Sequence, residues 1–249
     1  MPPIRPLPEG VGQALRTRRL ARGIELVTPF AVAAAIIAVG RPLIGKDPLH
    51  YQLLVWVANL AMLGLVWLGL RLRGQEWSHI GLGAIGKGVR SIAGLVWKSI
   101  IVFVCMLAAM TAGAILMANI LGRPEPPDTS GYAFLHGNLP LFLVSLAAVL
   151  IGSSLGEEIL YRGFLITRLI EIQRDSGSAR WLAVTISGVV FGLAHFAWGP
   201  AGMVQTAFMG LALGVAFLLT KRALWVLVLA HAYGDIILMV QMYLGNGNT

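Results

Sequence analysis

Two adjacent carboxylates, Glu157 and Glu158, and a guanidinium, Arg162, sit inside an apolar run too long for a soluble helix. The part leading up to them, Leu139 to Gly156, carries no charge and is roughly a bilayer's worth of helix. A charge at the centre of a membrane helix costs about 2.5–3.5 kcal/mol on insertion scales, so such residues face a protein interior or a water-filled cavity and mark a functional site by default. Of 11 acidic residues only Glu157, Glu158 and Asp235 lie deep within predicted spans, and of 5 histidines only His195 and His231 do. At 1.5 Å of rise per residue the Glu pair and His195 each lie about 20 Å from the cytoplasmic ends of their helices, and His231 and Asp235 roughly 13 and 19 Å from theirs. Three separate spans thus bring ionisable groups to a similar depth.

Helical spacing separates their roles. Glu158 and Arg162 are four residues apart, share a face and can pair. An Arg partner depresses a carboxylate's pKa and makes it a poor base, so this pair reads as structural. Glu157 points about 100° away and is left for other work. His231 and Asp235 are also four apart and face one cavity; Asp235 either orients His231 or bonds backbone groups of the fourth span. A carboxylate with two imidazoles around a water suits activation of that water for attack on a carbonyl. Two His and one Glu with an open position is also a hydrolase metal set, so Glu157, His195 and His231 are candidate ligands for a divalent ion, zinc foremost. The two histidines lie on different helices, which argues against an HExxH enzyme. Gly152-Ser-Ser-Leu-Gly156 matches G-x-S-x-G with Ser154 in the nucleophile place, but that motif has meaning only at a strand-to-helix elbow. Within a helix, Ser154 is expected to bond its own backbone.

The elements that must position these groups are membrane helices. The 249 residues are 57% hydrophobic and only 12% charged, against about 25% charged in soluble domains. The expected fold is all-α: a polytopic transmembrane bundle of about seven spans with a four-helix catalytic core. The spans are expected at Leu26–Ile44, Leu49–Leu70, Ile92–Leu121, Leu139–Ile170, Trp181–Trp198, Met203–Thr220 and Leu224–Leu244. The chain divides into a basic cytoplasmic arm (1–23), solvated and partly disordered, three N-terminal spans with their loops (24–138) and a catalytic core (139–245). The formal charge of +8 would suggest nucleic acid in a soluble protein, but here the cations cluster between apolar runs, so no nucleic-acid partner is expected. The arm and the segments 71–90, 171–180 and 221–222 carry the positive charge and fall on one side, which places the N-terminus in the cytoplasm. Trp77 to Gly83 reads as an interfacial turn, and the Pro-rich loop Arg123 to Tyr132 as non-helical. Gly188 and Gly192, with Gly210 and Gly214, form small-residue pairs that let neighbouring helices approach closely. Cys105, the only cysteine, excludes an intrachain disulfide and reads as apolar filler.

At EEILYR (157–162), FGLAH (191–195) and HAYGD (231–235) the sequence resembles the CPBP family of intramembrane proteases, the CAAX-protease and bacteriocin-processing group also called Abi. Its pattern is EExxxR, FxxxH and HxxxN/D, in that order on successive spans. The resemblance covers about Leu139 to Leu244. It implies a type II CAAX prenyl endopeptidase-like activity in which Glu157 activates water with His195 alongside. It further implies that His231 and the position of Asp235 stabilise the oxyanion or help bind a metal, that Glu158 and Arg162 hold the site's geometry, and that Phe191 packs beside His195. The third motif ends in Asp where the prenyl-protein-processing members have Asn; an ionised Asp only accepts, so an orienting or ligand role is favoured for Asp235.

The reading is therefore an integral membrane (metallo)endopeptidase of a bacterial-type plasma membrane, hydrolysing a peptide or protein substrate, prenylated or not, near or within the lipid bilayer. The alternative is a non-enzymatic membrane scaffold or a bacteriocin self-immunity protein. A proton or cation transporter using the same buried groups is a third reading, weakened by the lack of an internal repeat.

Overall fold

The computed structural model of the chain describes residues 9–45, 48–122, 130–173 and 175–245. Among these residues every element is helical and none is a strand. Within lipid the backbone groups must be satisfied inside the segment, and the helix does this. The elements are α1 (Glu9–Thr17), α2 (Arg19–Gly40), α3 (Pro48–Arg73), α4 (Val89–Leu121), α5 (Leu139–Val149), α6 (Thr167–Gln173), α7 (Gly177–Ala194), α8 (Gly199–Leu219) and α9 (Leu224–Leu244). Between α5 and α6 the same rod continues as two π-helical segments, Leu150–Leu155 and Glu158–Ile166. Seven helices among the described residues are long and apolar enough to cross a membrane, the fourth being the composite rod Leu139–Gln173.

The seventh span has the expected bounds; the other six differ by a few residues at one or both ends, three of them for identifiable reasons. The first begins earlier, at Arg19, because Glu25, which composition would keep out of lipid, is ion-paired with Arg73. The fourth runs on to Gln173 because Arg168 Nη1 donates to Glu171 Oε1 at 2.9 Å. The fifth stops at Ala194, short of the expected Trp198; His195 leaves the helix with φ −93° and ψ 26°, and a 3₁₀ turn (Phe196–Trp198) leads to α8. Residues 1–8 and 123–129, and with them most of the Pro-rich loop, lie outside the described residues.

One further reading is corrected and another is extended. The basic arm is helical from Glu9, its Leu15 is buried, and Arg16 donates to the Arg73 carbonyl at 2.9 Å. The loop after α3 is tucked inward: Ile80 is fully buried, Trp225 Nε1 donates to the Gly83 carbonyl at 2.9 Å, and the Leu224 amide donates to the Gly81 carbonyl at 3.1 Å. Gly81 takes φ 96° there, a conformation that glycine adopts without steric penalty.

Packing brings the C-terminal spans together. α7 lies along α8, and α9 packs directly on both π segments. A Cβ built on Gly210 would stand 2.9 Å from the Gly188 Cα, so this close approach depends on both residues being glycine. α4 runs along α8 and α9, so the third span packs against the C-terminal spans. Cys105, on α4, is exposed.

Candidate active site

The first motif occupies an irregular helix. Gly156 and Glu157 lie between the two π segments, whose wider turn displaces side chains from their α positions; such segments are rare and gather at functional sites. The Glu158–Arg162 pairing survives the change of helix type: Arg162 Nη1 donates to Glu158 Oε1 at 2.8 Å, and both side chains are 0% exposed. Glu158 Oε1 also accepts from His231 Nδ1 at 2.8 Å. One carboxylate oxygen therefore joins the first motif to the third.

Phe191 joins them to the second. Its ring is buried and lies 4.3 Å from the Arg162 guanidinium carbon, a cation–π contact. Ring centroids place it 4.9 Å from Tyr161, 4.7 Å from His195 and 6.4 Å from His231. It packs beside His195 as the family resemblance implies, and it also forms the floor beneath both histidines.

His195 gains its orientation by leaving the helix. Its Nδ1 lies 2.8 Å from the Phe191 carbonyl; a carbonyl only accepts, so Nδ1 carries the proton and Nε2 presents a lone pair. Trp198 closes the ring's other side, edge-on at 5.3 Å. Glu157 lies within electrostatic reach of His195, His231, Asp235 and Arg162. Its Oε2 is buried and has no hydrogen-bond partner among the described residues. A buried acceptor left unpaired costs about 1–3 kcal/mol, which is tolerated where a reacting water or substrate supplies the missing partner.

Asp235 holds a position different from backbone bonding. Its Oδ2 accepts from Ser154 Oγ at 2.7 Å, and its Oδ1 stands 3.7 Å from His231 Nε2. Ser153 Oγ approaches the same Nε2 at 3.5 Å. Ser154 is 0% exposed; its hydroxyl is given to the Asp235 carboxylate and not to a histidine, so it has no base to activate it, and it bonds across helices instead of to its own backbone.

The six motif residues come together. Among the described residues no three His, Cys, Asp or Glu side chains are placed to hold a metal ion. In the expected set of Glu157, His195 and His231, His231 Nδ1 is turned to Glu158 and His195 Nδ1 to a backbone carbonyl, which leaves Nε2 as the ring nitrogen that each could offer to a ligand.

The sequence reading missed two groups of residues. Tyr132, on the 3₁₀ turn Ser130–Leu135, has its hydroxyl pushed above its ordinary range by burial first, then by Tyr51, Asp235 and Glu157. It remains a neutral donor at the site's edge. The second group is an ion network at the far end of the rod: Arg73 pairs with Glu25 and, at 3.1 Å, with Glu171, while Arg168 reaches Glu171 at 2.9 Å and Glu25 at 3.4 Å. Only the pairing of span-end charges of opposite sign hinted at it.

No curated protein and no solved structure matches the chain. Residues 139–237, which hold all three motifs, match the family model described as type II CAAX prenyl endopeptidase Rce1-like, and the resemblance those motifs carry is thereby shown for this segment of the chain.

Proposed function

We propose that the chain is an intramembrane endopeptidase of the CAAX-protease type, in which Glu157 is the general base. The observation that carries this reading is the buried, unpartnered Glu157 Oε2 within electrostatic reach of His195 and His231. A water bound between Glu157 and His195 Nε2 gives its proton to the Glu157 carboxylate as its oxygen attacks the scissile carbonyl carbon. General-base help of this kind contributes about 10²–10⁴-fold. The carbonyl π pair moves onto oxygen, and His231, held by its Nδ1–H bond to Glu158 and protonated at Nε2 as well, donates that Nε2–H to the developing charge. When the tetrahedral species collapses, the C–N bond breaks and the proton on Glu157 passes to the leaving amine. Glu158 and Arg162, bonded to each other and sealed from solvent, set the position of His231. No step runs through a metal.

The substrate is a protein or peptide, prenylated or not, reaching the site from the membrane. The protein sits in a bacterial-type plasma membrane with its N-terminus in the cytoplasm, in keeping with the cations between its spans.

The test is cleavage of a mixed fluorogenic peptide set, prenylated and unprenylated, by purified protein in detergent. Wild type is run beside Glu157→Gln, with and without a chelator. The expected result is cleavage by wild type that survives the chelator and is lost in Glu157→Gln. Full activity of Glu157→Gln would refute the mechanism, and loss of wild-type cleavage on chelation would refute its metal-free form.

A further inference from the structure

We propose that Ser154 is a positioning residue that acts through Asp235 on His231. This rests on the endopeptidase reading above and adds to it a residue that the three motifs do not contain.

The third motif ends in a carboxylate. An ionised Asp offers two acceptor oxygens and no donor, so it cannot itself bind an oxyanion. It can fix a neighbour that does, but only if its own rotamer is held. Ser154 supplies that restraint. Its hydroxyl is fully buried and reaches across the helix interface, over a sequence separation of 81 residues, to Asp235 Oδ2 at 2.7 Å. A helical serine ordinarily bonds a backbone carbonyl one turn back, so a short bond to a carboxylate on another span is a specific use of the side chain. With Oδ2 occupied, Oδ1 is turned to the His231 Nε2 edge at 3.7 Å. The opposite nitrogen is fixed by Glu158 at 2.8 Å. His231 is thus bracketed by two carboxylates, each held by a donor of its own: Arg162 for Glu158 and Ser154 for Asp235. G-x-S-x-G carries no acyl chemistry in this chain; its serine locks the residue that differs from Asn.

The experiment compares wild type, Ser154→Ala, Ser154→Thr, Ser154→Cys, Asp235→Ala and the double variant Ser154→Ala/Asp235→Ala on a cleaved peptide, with kcat and KM measured separately. Misplacement of a reacting group by about 1 Å costs on the order of 10²-fold. Ser154→Ala should therefore lose about ten- to a hundredfold in kcat with KM little changed. Ser154→Thr, which keeps the hydroxyl, should recover most of the loss, and the double variant should be no slower than Asp235→Ala alone. In ¹⁵N-histidine-labelled protein, the His231 ring resonances (identified by their loss in His231→Gln) should move in Ser154→Ala toward their place in Asp235→Ala. Unchanged kcat in Ser154→Ala, losses that add to those of Asp235→Ala, or unmoved His231 resonances would overturn the proposal. Should Ser154→Ala fail to fold, the near-isosteric Ser154→Cys gives the same readings. Absence of cleavage by wild type would count against the endopeptidase reading, and the His231 resonances would still decide for or against Ser154.

Discussion

Replacing Arg162 by Met tests the centre of the construction. The guanidinium is 0% exposed, donates to Glu158 Oε1 at 2.8 Å and stands 4.3 Å from the centre of the Phe191 ring. Met fills most of the volume, so little cavity is left. What remains is Glu158, also 0% exposed, with its Oε2 unpartnered and only His231 on Oε1. Removing one partner of a buried pair costs about 3–5 kcal/mol. The reference state of a membrane protein still holds its helices in lipid, where polar groups find other partners, and this moves the figure to the lower end. The expected destabilisation is about 3 kcal/mol, or on the order of 10² in the folded-to-unfolded ratio. Reversible unfolding in mixed detergent and SDS micelles measures it. The double variant Glu158→Gln/Arg162→Met removes both charges and keeps an acceptor for His231, so it should return to within about 1 kcal/mol of wild type. Arg162→Met lying within about 1 kcal/mol of wild type, or a double variant as unstable as the single one, would refute the claim that this pair is a buried charge couple.

Glu157→Gln should lower kcat by about 10²–10⁴-fold while the unfolding midpoint stays put, read by peptide cleavage beside circular dichroism. Gly210→Val should destabilise by about 1–3 kcal/mol, because a Cβ there would stand 2.9 Å from the Gly188 Cα; the same micelle unfolding assay reads this. Asp175, exposed on the loop before α7, has its carboxyl held below the usual range by the hydrogen bond from Arg180, with the Arg180 charge adding to it. A folded-state pKa below the unfolded value gives stability that is present above the unfolded value and lost as pH falls through the folded one. Asp175→Asn should therefore be slightly less stable than wild type at neutral pH, and their thermal unfolding midpoints should converge below the carboxylate range.

The span count and the three motifs were legible from sequence because each rests on local information. A continuous apolar run must be helical in lipid, and Glu158 with Arg162, or His231 with Asp235, need only a four-residue spacing to share a face. The Gly188 and Gly210 pairs were legible as places of close approach for the same reason. Where charged residues were compensated from another segment, the reading failed at the span ends: Glu25 and Glu171 lie inside helices because Arg73 and Arg168 neutralise them, a fact no single window contains.

Sequence alone determined that this is an all-helical chain with spans able to cross a membrane, and it singled out Glu157, Glu158, Arg162, His195, His231 and Asp235 as candidates for its chemistry. Tertiary structure decided how they are used. It turned His231 Nδ1 toward Glu158, and it set His195 just beyond a helix end where the Phe191 carbonyl fixes its proton. It also bound Asp235 to a serine 81 residues away. The physical reason is that hydrogen-bond direction depends on the relative placement of helices, and on the π-helical turns of one of them, neither of which is encoded in the spacing of residues along a single span.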